Sequence, residues 1–272
     1  MDFKKVLTAF LIVFISLDIF LGAQWLRQYP FHDGRTTEEQ IIDEMHDDGI
    51  TYNSLSKKRT TGSYVAGKSG RNVLASERAQ LDHDWQTTLV GDTLRVTMPK
   101  PVKLNAHGRN NVSALNVFVK KNNQVINGKK YKLSTKLSKM AQADSKSTNK
   151  LYVYVQKIAK EQRPFITRRA QITFEVTPTH ELKGYEQRYI SHTQYLRDDV
   201  QLISEEQALI SLYQYNDLPN NSHVTIAHMG YQELTTVDKD IIFVPVWQFF
   251  IQNNGQKATT VTVNAINGAI MK

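Results

Sequence analysis

Apolar residues open the chain in one unbroken run and then break into shorter patterns of two different periods. Val6 to Leu26 reads VLTAFLIVFISLDIFLGAQWL. As a helix rising 1.5 Å per residue, a run of about 21 residues crosses a hydrocarbon core of about 30 Å. Lipid leaves backbone amides no partner outside the segment, so the run is expected to be helical. Lys4 and Lys5 precede it and only Arg27 closely follows, which keeps the N-terminus cytoplasmic by the positive-inside bias. A cleaved signal peptide is the competing reading. The run is long for one, and Leu21-Gly22-Ala23 is a poor cleavage site, so an uncleaved anchor is expected.

Beyond a short polar connector, 27–35, Thr36-Thr37-Glu38-Glu39 has the form of a capping box. Ile41, Ile42 and Met45 follow as an apolar stripe, and Gly49 closes the predicted helix. Residues 52–71 read as loop with a short strand at Tyr64-Val65. From Asp84 the period becomes two. Trp85–Val90 and Leu94–Met98 predict a hairpin about Gly91-Asp92, stopped by Pro99 and Pro101. A strand is expected at Leu115–Val119. A second hairpin is expected where Gln124–Ile126 and Lys130–Leu133 flank Asn127-Gly128. Ser138–Lys150 is polar and reads as loop or linker, followed by a strand at Leu151–Val155.

After Pro164 the pattern restarts. Strands are expected at Ala170–Val176 and Tyr185–Leu196, and a capped helix at Ser204–Tyr215, ended by Leu218-Pro219. Further strands follow at Val224–Glu233, Ile241–Gln252, Ala258–Ala265 and Ala269–Lys272, with turns at Asn253-Asn254-Gly255 and Asn267-Gly268. Pro245, inside an apolar strand, calls for an edge or a bulge. The expected fold class is α+β: one N-terminal transmembrane helix, then an extracytoplasmic domain of antiparallel sheets with helices on one face. The expected segments are a cytoplasmic tail 1–5, the membrane helix 6–26, the connector 27–35, and two related subdomains, 36–155 and 165–272.

Charge and composition narrow the chemistry. The 272 residues carry a formal net charge of +8 and no cysteine. Disulfides and thiolate metal sites are therefore excluded. Basic patches lie at Lys57-Lys58-Arg59 and across Lys120–Lys136, where anionic lipid or wall polymer outside the cell would be attracted. No base-stacking motif points to nucleic acid.

Gly62-Ser63-Tyr64-Val65-Ala66-Gly67-Lys68-Ser69 spells G-x-x-x-x-G-K-[ST]. The mechanism behind that spelling needs a buried strand before the first glycine and a helix whose amides cradle phosphate. Ser56–Thr61 is too polar for such a strand, so a flexible loop and no nucleotide are expected. Eight histidines form no H-E-x-x-H, and His32-Asp33 and His83-Asp84 are merely adjacent. No catalytic constellation, cofactor site or metal site is readable, and no enzymatic activity is expected.

The apolar run itself contains the candidate site. Asp18 costs roughly 2.5–3.5 kcal/mol at the centre of a span, which argues for a protein partner. Thr8, Leu11, Ile15, Asp18, Gly22 and Trp25 recur at steps of three and four and share one helix face. Thr8, Ile15, Asp18 and Gly22 are the predicted partner-binding residues. An acid, a hydroxyl and a glycine are the residue types through which membrane helices approach and hydrogen-bond.

Two stretches carry a family resemblance: Met1-Asp2-Phe3-Lys4-Lys5 running into Asp18-Ile19-Phe20-Leu21-Gly22, and Phe243-Val244-Pro245-Val246-Trp247 with Val263-Asn264-Ala265-Ile266-Asn267-Gly268-Ala269-Ile270. Together they resemble YycI, single-pass accessory proteins of low-GC Gram-positive bacteria. The capped helix and following strands also resemble PepSY-type modules. The resemblance implies a non-enzymatic regulator beside a cell-wall sensor histidine kinase of the YycG/WalK type, working with a YycH-type companion through its membrane helix. It leads one to expect Asn where this chain has Asp18. The alternative is a membrane-anchored extracytoplasmic binding module or inhibitor acting on a wall enzyme.

Overall fold

The computed structural model describes residues 3–28, 36–104, 110–158, 160, 162–253 and 258–271, with some side chains in the first helix and at 226–228 left out. In chain order the helices are α1 (Phe3–Gln28), α2 (Thr37–Asp47), α3 (Arg71–Glu77), α4 (Asn111–Val119), α5 (Thr135–Asp144) and α6 (Glu205–Gln214). The strands are β1 (Thr51–Tyr52), β2 (Thr61–Gly62), β3 (Val65–Ser69), β4 (Gln86–Val90), β5 (Thr93–Lys103), β6 (Tyr131–Ser134), β7 (Lys150–Gln156) and β8 (Gln171–Val176). They continue with β9 (Glu181–Gln187), β10 (Ile190–Tyr195), β11 (Val200–Gln201), β12 (Ser222–Val237), β13 (Asp240–Asn253), β14 (Thr259–Asn264) and β15 (Ile270–Met271).

The chain divides into two compact units, Met1–Glu44 and Met45–Lys272. In the first, the predicted capping box of α2 is formed. The Glu39 amide donates to Thr36 Oγ1 at 3.3 Å, and the Thr36 amide donates to Glu39 Oε2 at 2.9 Å. In the second unit, Gly49 at φ +71 ends that helix while the Ile50 amide donates to the Met45 carbonyl.

The second unit is α+β, built on two large sheets and a short antiparallel pair of β2 and β11. One runs β4-β5-β9-β8-β7-β6, antiparallel throughout. The other runs β1-β12-β13-β14-β15, with β3 pairing both β13 and β10. The strands do not divide between the sheets at the boundary expected between 155 and 165. β7 and β8, on either side of it, pair directly. The small, polar residues of 138–150 read as loop or linker, while the ladder between β7 and β8 runs continuously across 155–165.

The first-named sheet carries the larger core. Leu74 of α3 and Leu115, Phe118 and Val119 of α4 cluster with Val96, Tyr154, Ile172, Phe174 and Tyr185 from the strands. Phe174 sits edge-on to Phe118 at 5.9 Å and to Tyr154 at 5.4 Å, and tilted against Tyr185 at 5.3 Å. Burial raises the pKa of the Tyr131, Tyr154 and Tyr185 phenols far above the ordinary value, so they stay protonated as donors. Tyr185 donates to the Gln124 carbonyl and Tyr154 to Asn116.

Leu115–Val119 is helix: the Asn110 side chain accepts the Ser113 amide at 2.8 Å, and residues 115, 118 and 119 share one face. Gln124–Ile126 forms no strand. Asn127 does turn the chain, at φ +53, but β6 pairs with β7 instead. The stretch 138–150 holds α5 rather than a linker. Ser134 caps this helix, and its outer residues close the sheet: Ser138 Oγ accepts the Val153 amide at 2.8 Å, and Gln142 Oε1 accepts the Leu151 amide at 2.8 Å. α5 thus continues where β6 stops along the edge of β7.

Pro99 and Pro101 do not stop β5, which reaches Lys103. They fall where its register with β9 shifts, between Thr97 and Val102, so no ladder bond is lost. Pro245 lies mid-sheet. On the side away from β12, β13 pairs with β3 up to Phe243 and with β14 from Val246. Pro245 occupies the handover between those neighbours, where its missing N–H costs nothing, and its carbonyl still accepts the Ala265 amide at 2.9 Å. The capped α6 and strands β12 to β14 form as predicted, with both arms of the Ser204–Gln207 box present. The connector 29–35, with His32-Asp33, and the turn residues 254–257 lie outside the described residues.

Candidate functional site

α1 is a continuous 26-residue helix, and every described side chain on it is exposed. Thr8 donates its hydroxyl to the Lys4 carbonyl at 2.9 Å, and Ser16 donates to Ile12 at 2.8 Å. Both hydroxyls are thus satisfied within the helix, as an apolar surrounding requires. Ile15 is half exposed, and a side chain built at Gly22 would meet nothing within 4 Å. Thr8, Ile15, Asp18 and Gly22 therefore form an open strip along one face. The Trp25 side chain lies outside the described residues. Among the described residues no helix is long and apolar enough to cross a membrane.

The P-loop spelling has a different structural meaning. Val65 to Ser69 is a strand, not a loop, and lies between β10 and β13. Its backbone is held by those two ladders, the Gly70 amide donates to the Tyr189 carbonyl at 2.6 Å, and the Ser69 hydroxyl accepts the Arg71 amide. A side chain at Gly67 would come within 2.6 Å of Ile190, so this glycine makes room for a neighbouring strand and not for a phosphate. Lys68 points to Asp240, with 3.6 Å between the charges. We therefore expect Lys68→Ala to leave folding unchanged, and ATP not to move the melting temperature of the protein. A real site would add about 2.7 kcal/mol at a hundredfold excess over Kd. An ATP-dependent rise in Tm, abolished by Lys68→Ala, would show that phosphate is cradled here after all.

The histidines serve local roles. His180 Nδ1 lies 2.9 Å from Asn111, His223 Nδ1 lies 2.9 Å from Thr51, and His46 pairs with Tyr52 at 3.3 Å. Among the described residues no group of His, Asp and Glu is placed to hold a metal.

Pattern reading missed a buried polar bridge between the sheets. Gln156 of β7 donates to the Ile190 carbonyl at 2.7 Å and accepts the Ile190 amide at 2.8 Å. Gln187, at the end of β9, donates to the Ile126 carbonyl at 2.6 Å, and Tyr131 donates to the Arg188 carbonyl at 2.7 Å. The signal lay in the alternation: Gln187 stands two residues after Tyr185 on the inward face of its strand.

Comparison with known families matches residues 32–266 to the family described as YycI protein. The chain belongs to the YycI family. That family is one of regulatory accessory proteins of the YycG/WalK two-component system, not an enzyme family. The match begins after α1 and covers the second unit almost completely, so it rests on the sheets and helices beyond α1. No curated protein matches the chain. Among solved structures, an uncharacterized protein from Eubacterium rectale is similar at 8% identity and a TM-score of 0.41, covering 86% of this chain and 98% of its own. The Bacillus megaterium YpeB C-terminal domain is similar at 13% identity and a TM-score of 0.34, covering 86% and 94%. Both likenesses are too loose to carry an argument about this YycI chain.

Proposed function

We propose that this YycI protein is a non-enzymatic, single-pass membrane regulator of a YycG/WalK-type sensor histidine kinase. In this reading its N-terminus is cytoplasmic, and residues beyond α1 lie outside the membrane beside a YycH-type companion. Family membership supports the system. The observation that carries the mechanism is the exposed polar strip on α1. An apolar helix exposed on all sides is not stable in water and calls for lipid or protein around it. Within lipid, Asp18 and Gly22 are the positions at which another helix gains most by approaching.

Hydrogen bonds between membrane helices average about 0.6 kcal/mol and reach about 1.7 kcal/mol. Asp18 therefore tunes such an association, and Gly22 sets how near the backbones come. Asp18→Leu should weaken control of the kinase partially, and Gly22→Leu at least as much. Asp18→Asn should retain most of it, since the amide keeps a donor and an acceptor. Ile12→Leu and Ile19→Leu should be silent. The readout is a reporter for the kinase's regulon at equal membrane abundance of each variant. Wild-type behaviour of both leucine variants at 18 and 22 would reduce α1 to an anchor and leave the function to the extracytoplasmic domain.

A further inference from the structure

We propose that the corner of the antiparallel sheet formed by the end of α4, the turn at 127–130 and β6 is a binding surface for a linear polyanion of phosphodiester-linked polyols. The charge along the chain is strongly lopsided. Residues 93–160 hold 15 Lys and Arg against a single acid, Asp144, for a net +14. The whole chain is +8, so the remainder is net −6. No Asp or Glu occurs between Asp92 and Asp144.

The fold gathers part of this excess. A side chain at Gly128 would meet the Val119 carbonyl at 1.7 Å, so the turn lies directly against the end of α4. That contact brings Lys120 and Lys121 beside Lys129. The Lys157 amide donates to the Lys130 carbonyl at 2.8 Å, and Lys132 follows on β6, the terminal strand of the sheet. Among the described residues none of these six lysines forms an ion pair with a carboxylate. Lys130 instead contacts the Tyr189 hydroxyl, and Lys157 reaches Gln162 Oε1 at 2.6 Å.

The chemistry of the surface selects its occupant. Every one of the six is a lysine, a mobile point charge suited to successive single charges and not to bidentate recognition of one group. Tyr131 and Tyr189 are buried, so no aromatic platform is offered to stack nucleic-acid bases. No apolar anchor of the kind that dominates protein interfaces is present among the six. The choice of an extracellular polymer rests on the reading that this domain lies outside the membrane. The binding measurement itself does not involve the kinase, so the two readings can fail separately.

The test uses the full chain in neutral detergent with fluorescein-labelled poly(glycerol phosphate), read by anisotropy, and with uncharged dextran as a control polymer. Six contacts predict a plot of log affinity against log salt with a slope of about −4. The triple variant Lys121→Gln, Lys129→Gln, Lys132→Gln should lose at least about tenfold in affinity, and its slope should be shallower by about 2. A control of equal charge change outside both basic patches, Lys183→Gln, Arg197→Gln, Lys239→Gln, should stay within about twofold. Equal losses in both triples, or no preference over dextran, would overturn the site. So would vesicles with anionic phosphatidylglycerol headgroups that bind the wild type but not the first triple, while the polymer fails to bind: the surface would then face the membrane.

Discussion

Phe174→Ala is expected to lower the stability of the folded chain by about 3–5 kcal/mol, the range for removing a fully buried phenylalanine. Phe174 has no exposed surface and meets three aromatic rings at once, from α4, β7 and β9. Truncation removes the apolar burial and leaves a cavity. Its rim includes Tyr154 and Tyr185, whose hydroxyls are tied to Asn116 and Gln124 and cannot swing inward without breaking those bonds. The cavity therefore collapses poorly, which places the effect at the upper end of the range. Trp85 stacks on Phe118 at 5.9 Å, and its fluorescence reports unfolding in urea. Phe174→Leu, which keeps most of the volume, should cost clearly less. Equal costs for the two would mean that the aromatic edge contacts, not the filled space, carry the energy.

The second large effect is expected from Gln156→Leu. The two side chains are similar in size, so packing changes little. The loss is polar: the Ile190 amide and carbonyl both bond to Gln156, which is 3% exposed, and both would be stranded away from water. Each stranded group costs about 1–3 kcal/mol. A total of about 2–6 kcal/mol should appear as a lower urea midpoint. The same glutamine joins β7 of one sheet to β10 of the other, so the variant should also speed amide exchange at Ile190 before global unfolding. A midpoint unchanged within about 0.5 kcal/mol would show that water has taken the glutamine's place.

Much of the architecture is readable where local chemistry and tertiary packing agree. The capping boxes at Thr36 and Ser204 are local reciprocal bonds, and both form. The 86–98 hairpin turns at the expected Gly91, at φ +55, and β12 to β14 form as strands where apolar runs and alternation place them. Reading fails where a partner distant in sequence decides. Leu115–Val119 has the composition of a strand, but the Asn110 cap and the cluster around Phe118 select helix. α5 is too polar to show a stripe, because its defining contacts are hydrogen bonds that Ser138 and Gln142 accept from the amides of β7. The glycine-lysine motif misled for a related reason: its spelling is local, while Gly67 answers to Ile190 across the sheet. The strip on α1 is readable as residue types and spacing. What it meets depends on a second chain, which no pattern within this one encodes.

The way α5 closes β7 bears on how copies of this protein can associate. An open strand edge invites another chain to extend the sheet, and natural folds blunt such edges with charge, brevity or a covering segment. Here the outer amides of β7 at Leu151 and Val153 are already occupied by Gln142 and Ser138, and β6, its neighbour on the side away from β8, is four residues long and carries Lys132. Strand-to-strand growth on that side is blocked twice over, by satisfied donors and by mutual repulsion. Among the described residues the opposite rim shows neither device. β4 alternates exposed and half-buried positions and ends at Val90, which is 53% exposed. Of the two rims of this sheet, β4 is therefore the one open to self-association by shared strands, in crowding or after partial unfolding.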